Sequence, residues 1–294
     1  MTSAKTNKPA FLRSGSAALL ARVSRRGRPK ALAAAAALLV ALPAMAIDGT
    51  TLIDQNKAYA GCVTPGDAPG FPITISRPGS YRLTSNLTVP DADTTAIEVA
   101  ADHVTIDLNG FAILGPVDCI ATLPACAGTG SGSGVVTVPL GQQASRRANI
   151  SIRNGTIQGM GAHGVQLFGD AIVIDNVSAR GNGLSGIDLA PGARAGASIV
   201  RHSMAHYNAL NGISVRTGAI TGSSTLRNGN HGMVLSFGFA SFNLSVANHG
   251  TGFVFGTGGY QGNTSIGQSP HISGNGVNQG QNVCENVACP GAQF

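Results

Sequence analysis

The sequence predicts an all-β solenoid of stacked parallel coils, and three observations carry that prediction. One phrase recurs: Asn182 leads Gly186, Ile187, Asp188 and Leu189; Asn208 leads Gly212, Ile213, Ser214 and Val215; Asn228 leads Gly232, Met233, Val234 and Leu235; Asn248 leads Gly252, Phe253, Val254 and Phe255. These glycines lie 26, 20 and 20 residues apart, and a partial copy at Gly164, Val165, Gln166 and Leu167 stands 22 residues upstream. A period near twenty carrying a short apolar-polar-apolar strand is the mark of coils that bury their cores by stacking. The composition agrees, since 41 glycines, no tryptophan and 11% charged residues suit short strands and tight turns better than a helix-packed core.

The elements follow in chain order. Lys5, Lys8, Arg13, Arg22, Arg25, Arg26, Arg28 and Lys30 precede an apolar run from Ala31 to Leu42 that ends in Ala44-Met45-Ala46, the pattern of a secretory signal peptide over 1–46. The run is too short to span a membrane and no later segment approaches one. Without the leader, 11 basic residues face 13 acidic ones, so the formal charge of +6 disappears and nucleic acid is not expected as a partner. Residues 47–70 are read as the first segment of the mature chain. Asp48, Asp54 and Lys57 separate Cys62 from the apolar run, which speaks against lipid attachment there.

Regular coils are expected over 71–280. Tyr81–Val89, Ala96–Val99, Val104–Leu108 and Phe111–Leu114 alternate or cluster as strands. The stretch 115–134, with Cys119, Cys126 and the Gly-Ser run 128–134, reads as an inserted flexible loop. Within each coil, Val165, Ile187, Ile213, Met233 and Phe253 should form one buried column and Leu167, Leu189, Val215, Leu235 and Phe255 another. The asparagines 182, 208, 228 and 248 are expected at a corner, occupying the left-handed region themselves and bonding to one another from coil to coil. The tail 281–294 carries a second cysteine pair. In an exported chain Cys119 with Cys126 and Cys284 with Cys289 are expected to form local disulfides, leaving Cys62 without an assigned partner.

The coils, together with Val104-Thr105-Ile106-Asp107-Leu108-Asn109-Gly110-Phe111, resemble secreted bacterial proteins of the pectate-lyase-like superfamily. The resemblance implies a right-handed parallel β-helix, a secreted or periplasmic location, and a ligand lying along an outer strand face. It does not imply one activity, because this architecture carries several chemistries.

On that geometry a reactive set belongs at the outward positions of the coils. The position before each glycine holds His163, Ser185, Asn211, His231 and Thr251. The next outward position holds Gln166, Asp188, Ser214, Val234 and Val254, and the third holds Phe168, Ala190, Arg216, Ser236 and Gly256. His163, Gln166, Asp188, Asn211, Ser214, Arg216 and His231 thus form the candidate contact patch, with Asp188 and Arg216 as the candidate catalytic pair. A calcium-dependent lyase site is not expected, since no Asp or Glu occurs between Asp188 and Glu285. Glu98 and Asp188 should lie three coils apart, about 14 Å, beyond the reach of a hydrolytic carboxyl pair. His202, Met204 and His206 offer the donor set of a copper-handling protein, although matching positions in the next coils read as ordinary strand. The leading expectation is a protein that binds an extended polysaccharide or the cell envelope, with no cofactor and no metal. Polysaccharide cleavage and copper handling are the alternatives.

Overall fold

The computed structural model describes residues 49–119, 130–137, 147–191 and 196–289. The expected signal peptide, Cys126, the middle of the 115–134 stretch and the last five residues lie outside them. The chain forms a parallel β-solenoid of about nine turns. Each coil contributes a strand to three sheets, and one short helix, Gln55–Ala60, precedes the regular coils. Every pairing between coils is parallel; the antiparallel exception is the terminal hairpin of Val283–Cys284 with Val287–Ala288. The stack begins before residue 71, because Thr50–Ile53 runs in register with Ser80–Leu83.

The first sheet places Ile73, Ile97, Val135, Val165, Ile187, Ile213, Met233, Phe253 and Ile272 in one column. The two columns expected inside are buried, from Val165 to Phe253 and from Leu167 to Phe255. Near the C-terminal end, Phe253 stacks on Phe255 with centroids 5.7 Å apart, and Phe255 on Tyr260 at 4.4 Å. Like residues thus lie over like because successive strands keep the same register.

The predicted asparagine ladder is present. Asn182 Nδ2 donates to Asn208 Oδ1 (2.8 Å), Asn208 Nδ2 to Asn228 Oδ1 (2.9 Å), Asn228 Nδ2 to Asn248 Oδ1 (2.8 Å), and Asn248 Nδ2 to Gln268 Oε1 (3.0 Å). The conformational reason differs from the expected one. The left-handed residue is the one before each ladder member: Gly181, Tyr207, Arg227, Ala247 and Gly267. That residue turns the chain so that the following amide points inward, where its oxygen also accepts a backbone N–H of the preceding coil.

A second ladder, not anticipated, follows the same rule at another bend. Left-handed His202, Gly222, Phe242, Gly262 and Gln281 precede buried Ser203, Ser223, Asn243, Asn263 and Asn282. Each of these side-chain oxygens accepts a backbone N–H from the coil before, at 2.9 to 3.2 Å. Asn243 is therefore a structural residue, and its amide is buried in the folded chain.

Gly130 to Gly134 is not a flexible loop but part of a coil. Gly130 N donates to Gly161 O (3.0 Å), Gly132 N to Ala92 O (2.9 Å) and Ser131 N to Asp93 Oδ1 (2.9 Å). Its glycines serve close approach, since a Cβ on Gly130 or Gly132 would run into the backbone of Ala92 or Thr94. Cys284 and Cys289 form a disulfide that closes the terminal hairpin, and Cys62 is free and exposed.

Candidate functional site

The outer face of the first sheet carries one continuous column: Thr74, Glu98, Val136, Gln166, Asp188, Ser214, Val234, Val254 and Ser273. Alternation along each strand turns these side chains outward while their neighbours fill the core. Glu98 and Asp188 stand three coils apart, as the repeat predicts. Burial pushes the Glu98 carboxyl upward from its ordinary value. Arg216 projects two residues beyond Ser214, the strand partner of Asp188, so the two charges are diagonal neighbours. They form no ion pair, and neither has a hydrogen-bond partner among the described residues.

The position before the repeat glycine is not part of this open face. His163, Ser185 and Thr251 are buried, and Asn211 and His231 are half-buried. At this point the chain is turning into the strand, and its N–H groups are satisfied by side chains of the preceding coil. Ser133 N donates to Thr95 Oγ1, His163 N to Ser133 Oγ, His231 N to Asn211 Oδ1 and Thr251 N to His231 Nδ1, at 3.0 to 3.2 Å. His231 is thus a neutral imidazole with its proton on Nε2, and burial holds its pKa below the usual histidine range. His163 is likewise held low by burial, against the pull of nearby Asp188, and its Nδ1 is buried without a partner among the described residues. Of the seven residues predicted for the patch, Gln166, Asp188, Ser214 and Arg216 remain on the open sheet. His163, Asn211 and His231 sit in or beneath its edge.

The remaining acids do not converge on this sheet. Asp102 Oδ1 accepts Ala148 N (3.0 Å) and Asp170 Oδ1 accepts Gly196 N (2.9 Å). Asp107 and Asp175 belong to a column on the second sheet that sequence reasoning missed: Arg82, Asp107, Arg153, Asp175 and Arg201, alternating in sign over five coils. Arg153 pairs with the buried Asp107 at 3.3 Å, and Arg201 pairs with Asp175 at 2.7 Å. The hydrogen bond from Arg201 holds the Asp175 carboxyl below its ordinary value, with His202 assisting. Two coils separate Asp107 from Asp175, about 10 Å, with a guanidinium between them. With Arg201 holding its carboxyl below the ordinary value, Asp175 is a poor proton donor for glycosidic cleavage.

The three copper candidates are split. His202 and Met204 line one groove, with His202 Nδ1 3.2 Å from Asp175 Oδ1, whereas His206 turns to Ser224 Oγ at 3.4 Å. Among the described residues no group of three or more His, Cys, Asp or Glu is placed to hold a metal. No helix among them is long and apolar enough to cross a membrane. The class this structure defines is a parallel β-solenoid with a polar outer sheet. Comparison with family models, curated proteins and solved structures finds no match.

Proposed function

We propose that this chain is an exported protein that binds an extended polysaccharide, free or in the cell envelope, along the outer face of its first sheet. The observation that carries the reading is the unpartnered state of Asp188 and Arg216. Ladders and ion pairs take up polar side chains elsewhere in the coils, yet these two project from an in-register sheet with no hydrogen bond or ion pair among the described residues. A carboxylate accepts from sugar hydroxyls and a guanidinium donates to hydroxyls or uronate oxygens. Rungs about 4.8 Å apart repeat such contacts along a linear polymer. The resemblance to the pectate-lyase-like superfamily, the leader pattern and the Cys284–Cys289 disulfide support export.

The test is affinity electrophoresis of the chain against polyuronates. Asp188→Ala and Arg216→Ala should each weaken retention about tenfold, the effect of losing one charged hydrogen bond. Unchanged retention in both variants would remove the sheet as the contact surface. Turnover of any polymer, lost in the same variants, would replace binding by cleavage.

A further inference from the structure

A concave surface, separate from Asp188 and Arg216, lies at the bend between the strands that carry Asp107 to Arg201 and the following strands, which align Thr156, Ser178 and Met204. Asn154, Asn176 and His202 occupy the bend in successive coils, all left-handed, with φ of 60°, 55° and 49°. With Thr156, Ser178 and Met204 on the adjoining strand they line a groove of about 540 Å³.

The amides are held in place from behind. Asn176 Nδ2 donates to Asn154 Oδ1 (3.2 Å), and Asn154 Nδ2 donates to the buried Asp107 Oδ1 (3.2 Å). Asn176 is exposed, and its oxygen and second N–H have no partner among the described residues. The same column continues through Gly222, Phe242 and Gly262. His202 leans over Gly222, whose Cβ would stand 3.1 Å from the imidazole, and the Phe242 ring lies over Gly262, whose Cβ would stand 2.7 Å from it. Phe242 is 66% exposed, with Met204 and Leu244 at 45% and 40% on the neighbouring strand.

From this geometry we propose a neutral oligosaccharide site along the groove, running from Asn154 and Asn176 to the Phe242 ring. Amides and hydroxyls suit sugar hydroxyls, and an exposed aromatic face suits the apolar face of a pyranose. Neutrality follows from the charges alongside. No lysine or arginine is among the residues lining the groove, and the two arginines beside it are engaged, Arg153 with Asp107 and Arg201 with Asp175. The distance from the Asn154 coil to the Phe242 coil is four rungs, about 19 Å, enough for several sugar units. The inference rests on the glycan reading for its ligand class, but the site and its residues are separate.

Glycine variants keep the fold, because glycine already stands at this column position in Gly222 and Gly262 and accepts the left-handed backbone. Titration calorimetry of the full chain would use neutral β-glucan, mannan and N-acetylglucosamine oligomers, with polygalacturonate as the charged comparison. One neutral series should bind with little dependence on salt. Asn176→Gly and Phe242→Gly should each weaken it about tenfold, while Asp188→Ala and Arg216→Ala leave it unchanged. Equal affinity in the Asn176→Gly/Phe242→Gly double variant, or binding of polygalacturonate alone, overturns the groove. Loss in the Asp188 and Arg216 variants only would refute the groove and leave the sheet, and failure of every glycan would refute both.

Discussion

Asn228→Ala tests the ladder at its centre. The Asn228 side chain is fully buried and makes four bonds: its oxygen accepts Asn208 N (3.0 Å) and Asn208 Nδ2 (2.9 Å), and its nitrogen donates to Ala205 O (2.8 Å) and Asn248 Oδ1 (2.8 Å). Two neighbours keep a partner after the change. Asn208 Nδ2 still donates to Ala179 O, and Asn248 Oδ1 still accepts the residue 228 backbone N–H. The Asn208 backbone N–H loses its acceptor inside the core, which costs about 1–3 kcal/mol, and the remaining lost bonds add about 1 kcal/mol each. The expected destabilisation is about 4–6 kcal/mol. Asn211→Ala is the comparison, because its half-buried oxygen accepts a single N–H and its loss should cost about 1 kcal/mol. Urea unfolding gives the difference, and hydrogen exchange locates it. In a solenoid each coil rests on its neighbours, so the loss of protection should centre on residues 205–233. A cost for Asn228→Ala no larger than for Asn211→Ala would refute the account.

Two further predictions concern protons and glycines. Burial holds His163, His206 and His231 below the ordinary histidine pKa, so the unfolded chain takes up protons first as pH falls past about 6.5. Their contribution to stability is complete above that pH and declines as pH falls toward the lower folded values. In His231→Asn the carbonyl replaces Nδ1 as acceptor for Thr251 N, and the fall in melting temperature between pH 7.5 and 5.5 should shrink; an equal fall assigns the effect elsewhere. Gly238 has φ 142°, and its Cβ would run into the Gly218 carbonyl oxygen, whereas Gly66, also at positive φ, has nothing within 4 Å of its Cβ. Gly238→Ala should cost about 2–4 kcal/mol in thermal unfolding against about 1 kcal/mol for Gly66→Ala.

The first sheet was legible because its strand follows a glycine at a nearly constant interval and its inward residues are all apolar. The 182 to 248 ladder was legible because one residue type repeats. The second ladder was hidden because Ser203 and Ser223 do the work that Asn243 and Asn263 do two coils later: any oxygen at that depth satisfies the N–H. The seven patch residues divide by where they fall in the coil. Asp188 and Arg216 alternate outward as a strand dictates, but His163 and His231 sit where the chain is still turning, and period-two reasoning fails there. The column from Arg82 to Arg201 escaped notice because its members lie 25, 46, 22 and 26 residues apart. Such spacings become neighbours only once the excursions between coils are known.

That column also makes the two halves of the solenoid unequal in what they permit. Between Ile213 and Gly252 one coil can stand in for the next: removing residues 213–232 would seat Met233 on Ile187 and Asn228's successor on Asn208, with every ladder rejoined. Excising one winding between Arg153 and Asp175 would instead bring Asp175 beside Asp107. The N-terminal half therefore carries its own parity check on coil order, and only the C-terminal half is free to grow or shrink by whole repeats.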